Sequence, residues 1–540
     1  MLSRRVLLVM VPFGDRQHQP LGVAYVAGAL LGAGHDVRLL APSRLRSLDE
    51  ATVATAVRDV DLVGFSSTTP AFPETLRFAA AVKAARPGLP VVLGGYHGTA
   101  LHRQVLERHQ EFDAVVRGEG EETAVELVAA WAGGSPPDRA IAGVTHRRGE
   151  ELSVGPGRPR LTNLTRLPRP ARDLLPPPAE FARYYDPVSR RSKVEANIGS
   201  SRGCPYHCSF CSIVSFYGES RIRFRDPADV VAEIAELARG SGIESVWFSD
   251  DNFLAAPRRA LAIFRGVKEC GGDIVFRAAT RADQLLRAQG MLCELKALGL
   301  RQVELGIENG SQSALDRHAK GARVEDNAAA IALLRRLDIQ VRLDFILFDP
   351  LTTIAELDEN LRFLKANLGP GHRTHTAIYR WLHLYHGTEA HARAVAAGLA
   401  VAGGEREPGM LFRDPDAAEV SAFIEACQDR VDASLESAES HAVEVMEALD
   451  GSLWRGDGVV RQRLLGELLF AHYPLNRLTL RLFEDVLELK KRSPGKPVLA
   501  EDLRKLADDY VRRVEHYGGE LDALHRRTVV ERGGDFAPTT

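Results

Sequence analysis

Cysteine is scarce in this chain, six residues in 540, and that excludes a disulfide framework. Cys270, Cys293 and Cys427 stand singly and read as buried free thiols. No stretch approaches the ~20 uninterrupted apolar residues of a membrane span. Basic blocks are missing too. The net charge is −3 with arginines interspersed among acids, which argues against nucleic-acid binding driven by phosphate contacts. The opening "MLSRRVLLVMVPFGD" has a basic start and a short apolar run, but no clean cleavage site follows, so it fits a buried first strand better than a signal peptide. No GxGxxG follows that strand, which argues against a dinucleotide. A cytoplasmic, reducing setting is expected.

What is present is a βα alternation. "RVLLVMVP", "DVRLLA", "DLVGFSST", "PVVLGGYH" and "AVVRG" are short apolar runs separated by helical patterns, the mark of a parallel sheet. Ligands sit at the C-terminal ends of such strands, and here those ends are rich in Gly, Ser and Thr, which lets a large flat ligand approach the backbone. Residues 146–190 are dense in proline and read as an extended linker. From 191 the alternation returns with six expected strands, "VEANIGS", "SVWFSD", "DIVFRAAT", "QVELGIE", "VRLDFILF" and "TAIYRWLHL", which suggests a partial (β/α)6 barrel to about residue 395. Residues 396–540 are helical. The expected fold is α/β, with a Rossmann-like sheet over 1–145, the linker, the barrel over 191–395 and a helical C-terminal domain.

In "SSRGCPYHCSFCSI", Cys204, Cys208 and Cys211 share one loop. Structural zinc wants four ligands in paired spacings, and no second pair exists. Three thiolates with one open position suit an iron–sulfur cluster that binds its substrate.

The motif C-x-x-x-C-x-x-C resembles that of the radical S-adenosylmethionine (SAM) superfamily, and residues 5–390 resemble its cobalamin-binding subfamily. "ELGIENGS" is similar to the family's "GIESGS", and "PLGVAYVAGAL", "GGYHGT" and "RGEGEET" to "PLGLAYLA", "GGPHAT" and "GEGE". The resemblance implies a [4Fe–4S] cluster on Cys204, Cys208 and Cys211, with SAM on its open iron. It implies SAM contacts at Phe210 (adenine), Asp250 or Asp251 (amino group), Arg277 and Arg281 (carboxylate) and Glu308 (ribose). For Asp250 and Asp251 a helix N-cap is an equal alternative. Cobalamin contacts are implied at Gly14, Ser66, Ser67, Gly94, Gly95, His97, Gly118 and Glu119, in a B12-binding type of fold. A vestigial sheet that binds nothing is the alternative. The D-x-H-x-x-G signature is missing, since Asp15 and His18 have the wrong spacing, so no histidine ligand to cobalt is expected. Asp349 and His386 depart from the family's motifs near the expected pocket, Tyr385 lies beside His386 on the last expected strand, and the three are the substrate candidates.

The resemblance implies C-methylation of a small molecule or natural-product intermediate, through a 5′-deoxyadenosyl radical and methylcobalamin, with an external electron donor such as flavodoxin or ferredoxin. Cyclisation, rearrangement, oxidation and non-radical methyl transfer are alternatives. A non-catalytic cobalamin or cluster sensor is a remote one. No catalytic side chain is assigned, and neither substrate nor oligomeric state is legible.

Overall fold

The computed structural model describes residues 3–11, 18–41, 49–131, 140–149, 151–189, 191–367, 375–401, 409–448 and 458–531. Strand β1 (Arg5–Met10) reads RVLLVM and is apolar after its exposed first residue because helices cover both its faces. Val6 and Leu8 pack on one side with Ala27 and Leu30 of the helix Leu21–Gly32 and Leu127 of the helix Glu121–Ala130. Leu7 and Val9 pack on the other with Val53, Phe78 and Val105. Beside β1 lie, all parallel, β2 (Asp36–Leu40) on one flank and β3 (Leu62–Ser66), β4 (Val91–Gly94) and β5 (Ala114–Val116) on the other. The strand order therefore reverses between β1 and β3, and such a switch opens a crevice at the C-terminal strand ends.

The expected linker is partly structured. β6 (Val144–Arg148) and β7 (Glu151–Val154) form an antiparallel hairpin that completes a seven-stranded sheet. β8 (Ala182–Asp186) pairs antiparallel along the edge of the second sheet. Only the proline-dense middle stays extended, broken by short 3₁₀ turns. The flanking strands are too short to show a period.

The barrel sheet contains β9 (Arg191–Ile198), followed by a small hairpin of β10 (Ser201–Arg202) and β11 (Arg223–Phe224), then β12 (Ser245–Phe248), β13 (Val275–Arg281), β14 (Leu300–Glu308) and β15 (Gln340–Phe345). Its order is β15-β14-β13-β12-β9-β8, with β9 and β12 to β15 parallel. Phe248, Phe264 and Phe276 stack beneath the outer helices, the last two with ring centroids 3.9 Å apart. The sixth expected strand, "TAIYRWLHL", is not one. It is a 3₁₀ turn at His375–Ile378 and a single bridge between Phe348 and Trp381. Its polar aromatic atoms are engaged elsewhere, Tyr379 Oη with Tyr510 Oη at 2.5 Å and the Trp381 indole donating to Ser421 at 2.8 Å.

Those partners lie on three long helices, Pro415–Ala448, Gly458–Arg492 and Ala500–Glu531. One apolar core runs from Phe345 and Phe348 of the barrel into Phe423, Phe483 and Val514 of these helices, with Tyr185 and Val194 of β8 and β9 packed against it. The helices thus seal the flank between the first and last barrel strands. Among the described residues, no helix is long and apolar enough to cross a membrane.

Candidate active site at the cysteine loop and the interdomain cleft

Cys204, Cys208 and Cys211 are half-buried on the loop between β10 and the short helix Ser212–Tyr217. Gly203 opens the loop at φ +87°, where a Cβ would collide with the Arg221 carbonyl. Its N–H donates to Asp251 Oδ2 at 2.8 Å. Ser209 N–H donates to the His318 carbonyl at 2.9 Å. Tyr206 Oη donates to Asp283 at 2.8 Å, and the Arg281 guanidinium lies 3.7 Å from the Tyr206 ring centroid. Burial pushes the Cys211 thiol up to about 12 and raises that of Cys204.

The two aspartates after β12 separate. Asp250 is fully buried and accepts from Ser200 N–H (2.7 Å), Ser200 Oγ (2.6 Å) and Ser201 Oγ (2.6 Å), so it braces the approach to the cysteine loop. Asp251 is exposed to the cleft, and desolvation by the surrounding protein pushes its carboxyl up to about 6 against the Gly203 N–H. The two arginines of β13 separate as well. Arg281 ends the strand and its Nη1 donates to Cys208 Sγ at 3.5 Å. Arg277 lies four residues earlier, about 13 Å deeper in the barrel. There it pairs with Glu195 at 2.7 Å and Gln302 at 2.8 Å, between the rings of Tyr184 and Trp247. The expectation that Arg277 meets the SAM carboxylate is therefore corrected. Arg277 is a barrel-interior residue.

Glu308 closes β14 at φ +65° and accepts from Lys320 Nζ at 2.7 Å. A Cβ on Gly306 would come within 2.9 Å of Glu308 Oε1, so the glycine makes room for this pair. Phe210 meets the His318 ring edge-on at 5.5 Å. Asp349, expected toward substrate, is buried. Burial raises its carboxyl, but His318 and Arg317 outweigh that and hold it at about 2. Arg317 bonds it at 2.8 Å, and it also caps the Leu351 N–H. It is a structural node, not a free substrate contact. Tyr385 and His386 sit at a turn that faces the first sheet's helices. His386 is 4.7 Å from His391, and Gly387 approaches Ser215 and Ala100.

Between the sheets lies an open cleft of about 1400 Å³. Ser66, Gly94, Gly95, Tyr96, Gly118 and Glu119 line it from the first sheet, and Ser201, Arg202, Phe216, Tyr217 and Asp251 from the barrel side. It continues as an apolar slot over Val6, Leu8 and Val92, beneath Val26 and Leu127. Gly95 at φ +89° has no room for a Cβ, which would meet the Ser67 carbonyl at 2.5 Å. Two expected contacts point away. Ser67 is buried and bonds Thr75 at 2.9 Å, and His97 is buried in the core behind, its ring 3.9 Å from that of Phe72. Gly14 lies outside the described residues. His18 turns to the barrel, 2.9 Å from Glu195.

Against known families, residues 11–128 match the B12 binding domain and residues 198–364 the Radical SAM superfamily. The chain thus carries a B12-binding domain followed by a radical SAM domain, the pairing of the cobalamin-binding radical SAM family. It is 29% identical over 348 residues to the uncharacterized methyltransferase PH0819 of Pyrococcus horikoshii, covering 64% of this chain and 73% of that protein. It is 30% identical over 352 residues to the anaerobic magnesium-protoporphyrin IX monomethyl ester cyclase of Rubrivivax gelatinosus, covering 64% of this chain and 62% of that one. The solved structure of the cobalamin-dependent SAM radical enzyme OxsB aligns with a TM-score of 0.71 at 16% identity, covering 98% of this chain and 84% of that chain, a likeness of fold.

As a radical SAM enzyme this chain takes a [4Fe–4S] cluster, SAM and cobalamin as cofactors. The residues present fit them: three thiols share one loop, near enough that after burial the charges of Cys208 and Cys204 also raise the Cys211 thiol, though not gathered as a ready-made metal site among the described residues, and a glycine-edged cleft with an apolar slot faces the B12-binding sheet. Sequence reasoning missed four partners. Lys320 holds Glu308, Tyr206 anchors the cysteine loop, and Arg202 and Arg223 clamp Glu119. Only Tyr206 and Arg202 carried a signal, their adjacency to the cysteines.

Proposed function

We propose that this chain transfers a methyl group to an unactivated carbon of a small-molecule substrate. The observation that carries the reading is the shared cleft, lined on one side by the B12-binding strand ends and on the other by residues flanking the cysteine loop. When bound, the cluster with SAM supplies hydrogen-atom abstraction and cobalamin supplies a transferable methyl group. Cys204, Cys208 and Cys211 hold the iron and leave one position open. Phe210 packs near the adenine, Glu308 binds the ribose and Asp251 the SAM ammonium. Ser66, Gly94, Gly95, Gly118 and Glu119 border the corrin. A low-potential electron donor such as flavodoxin or ferredoxin completes the system. Similarity to the P. horikoshii methyltransferase supports this reading.

The test is anaerobic turnover of reconstituted protein with SAM, cobalamin and a low-potential reductant, measuring 5′-deoxyadenosine and S-adenosylhomocysteine. Both products, and both lost in Cys208→Ala, are expected. The similarity to the cyclase favours a second reading, radical ring formation. Deoxyadenosine without S-adenosylhomocysteine would select it.

A further inference from the structure

Arg281 occupies a place that SAM binding does not explain. Its Nε donates to Asp283 at 2.8 Å, Nη2 to the Lys320 carbonyl at 2.6 Å and Nη1 to Cys208 Sγ at 3.5 Å. Every guanidinium nitrogen therefore has a partner inside the protein. The plane is fixed against Tyr206, a residue of the cysteine loop itself, and Tyr206 shares Asp283 with it. The side chain is 6% exposed, so water screens this cation weakly.

The potential of an iron–sulfur cluster depends on net charge, exposure and hydrogen bonds to its sulfurs. Reduction adds one electron to a cluster held by three thiolates, and a fixed cation donating to one of those sulfurs favours the reduced form. We infer that Arg281 is a positioning and tuning residue for the cluster: it raises the reduction potential through Cys208 Sγ and does not bind the SAM carboxylate. The inference rests on the three cysteines holding the cluster, and not on which group the enzyme transfers.

The test is a redox titration followed by electron paramagnetic resonance on reconstituted full-length protein, without SAM, cobalamin or substrate. Arg281→Gln removes the charge. In Arg281→Lys the ammonium cannot keep the Asp283 bond and still reach Cys208. The expected result is a more negative potential in Arg281→Gln, by a tenfold loss in the reduction equilibrium, about 59 mV for one electron. Arg281→Lys should fall by less. If Arg281→Gln loads no cluster, Arg281→Lys decides. A wild-type potential in either loaded variant overturns the inference, and a weaker equilibrium binding of SAM, titrated separately into that loaded variant, would return Arg281 to the carboxylate. Failure of both variants to load iron also overturns it, reducing Arg281 to a support for the loop. With SAM and substrate left out, a failed methyl-transfer assay cannot produce these results.

Discussion

Lys320 is 4% exposed and its ammonium has Glu308 as its ion-pair partner. Replacing one member of a buried pair leaves the other uncompensated, which costs about 3 kcal/mol or more. Lys320→Met should therefore lower unfolding stability by that order and weaken SAM binding. Lys320→Met/Glu308→Gln should regain most of the stability but not the binding. Chemical denaturation and equilibrium binding of SAM would check this, and equal stabilities of single and double variants would refute it. His97 offers a pH test. Burial, then the charges of His386 and His109, lower its pKa from 6.5 to about 3. Between those values the unfolded chain binds the extra proton, so the contribution to stability is complete above pH 6.5 and is lost as pH falls toward 3. The slope is at most about 1.4 kcal/mol per pH unit. His97→Gln should unfold with a shallower dependence on pH between 6.5 and 5 than the wild type. An unchanged slope would count against the assignment.

At the level of elements, Gly203 fixes how the β10–β11 hairpin enters the cysteine loop. Gly203→Val would force a β-branched side chain to positive φ and into the Arg221 carbonyl, a strain of about 1–3 kcal/mol that also breaks the bond to Asp251. The expected outcome is a folded protein with sharply reduced iron content after reconstitution, its far-ultraviolet circular dichroism unchanged. Full iron loading would show that the loop tolerates another path. The parallel strands were legible because burial on both faces writes continuous apolar runs such as RVLLVM. The aromatic alternation of "TAIYRWLHL" misled because its partners are Tyr510 and Ser421, residues 131 and 40 positions away. Arg277 and Arg281 share a face by spacing, yet only the register shows that one lies deep among Glu195 and Gln302 while the other meets a cysteine. Asp250 and Asp251 are neighbours in sequence whose roles divide by which way each turns. Lys320 was invisible because nothing in a buried lysine's local sequence names its partner.

The whole molecule depends on holding the first sheet and the cysteine loop across one cleft, and Glu119 does this with charge. It follows β5 and accepts from Arg202 at 2.7 Å and Arg223 at 2.8 Å, both on the hairpin leading to and from the cysteines. Burial raises the Glu119 carboxyl, but the two arginines outweigh it and lower its pKa. Arg223 is 4% exposed in its side chain and also donates to the Leu161 carbonyl at 2.8 Å, so linker, sheet and loop meet at one guanidinium. Such a clamp should be energetically coupled. Glu119→Gln and Arg223→Leu should each destabilise the protein, and together they should cost less than their sum by about 1–3 kcal/mol. Arg223 is not among the residues lining the cleft, whereas Glu119 borders it. Loosened cobalamin binding in Arg223→Leu would therefore report a change in how the two halves are held and not a lost contact. Additive stabilities, with cobalamin affinity unchanged in Arg223→Leu, would mean that the halves are held by their apolar packing and that the ion pairs only ride on it.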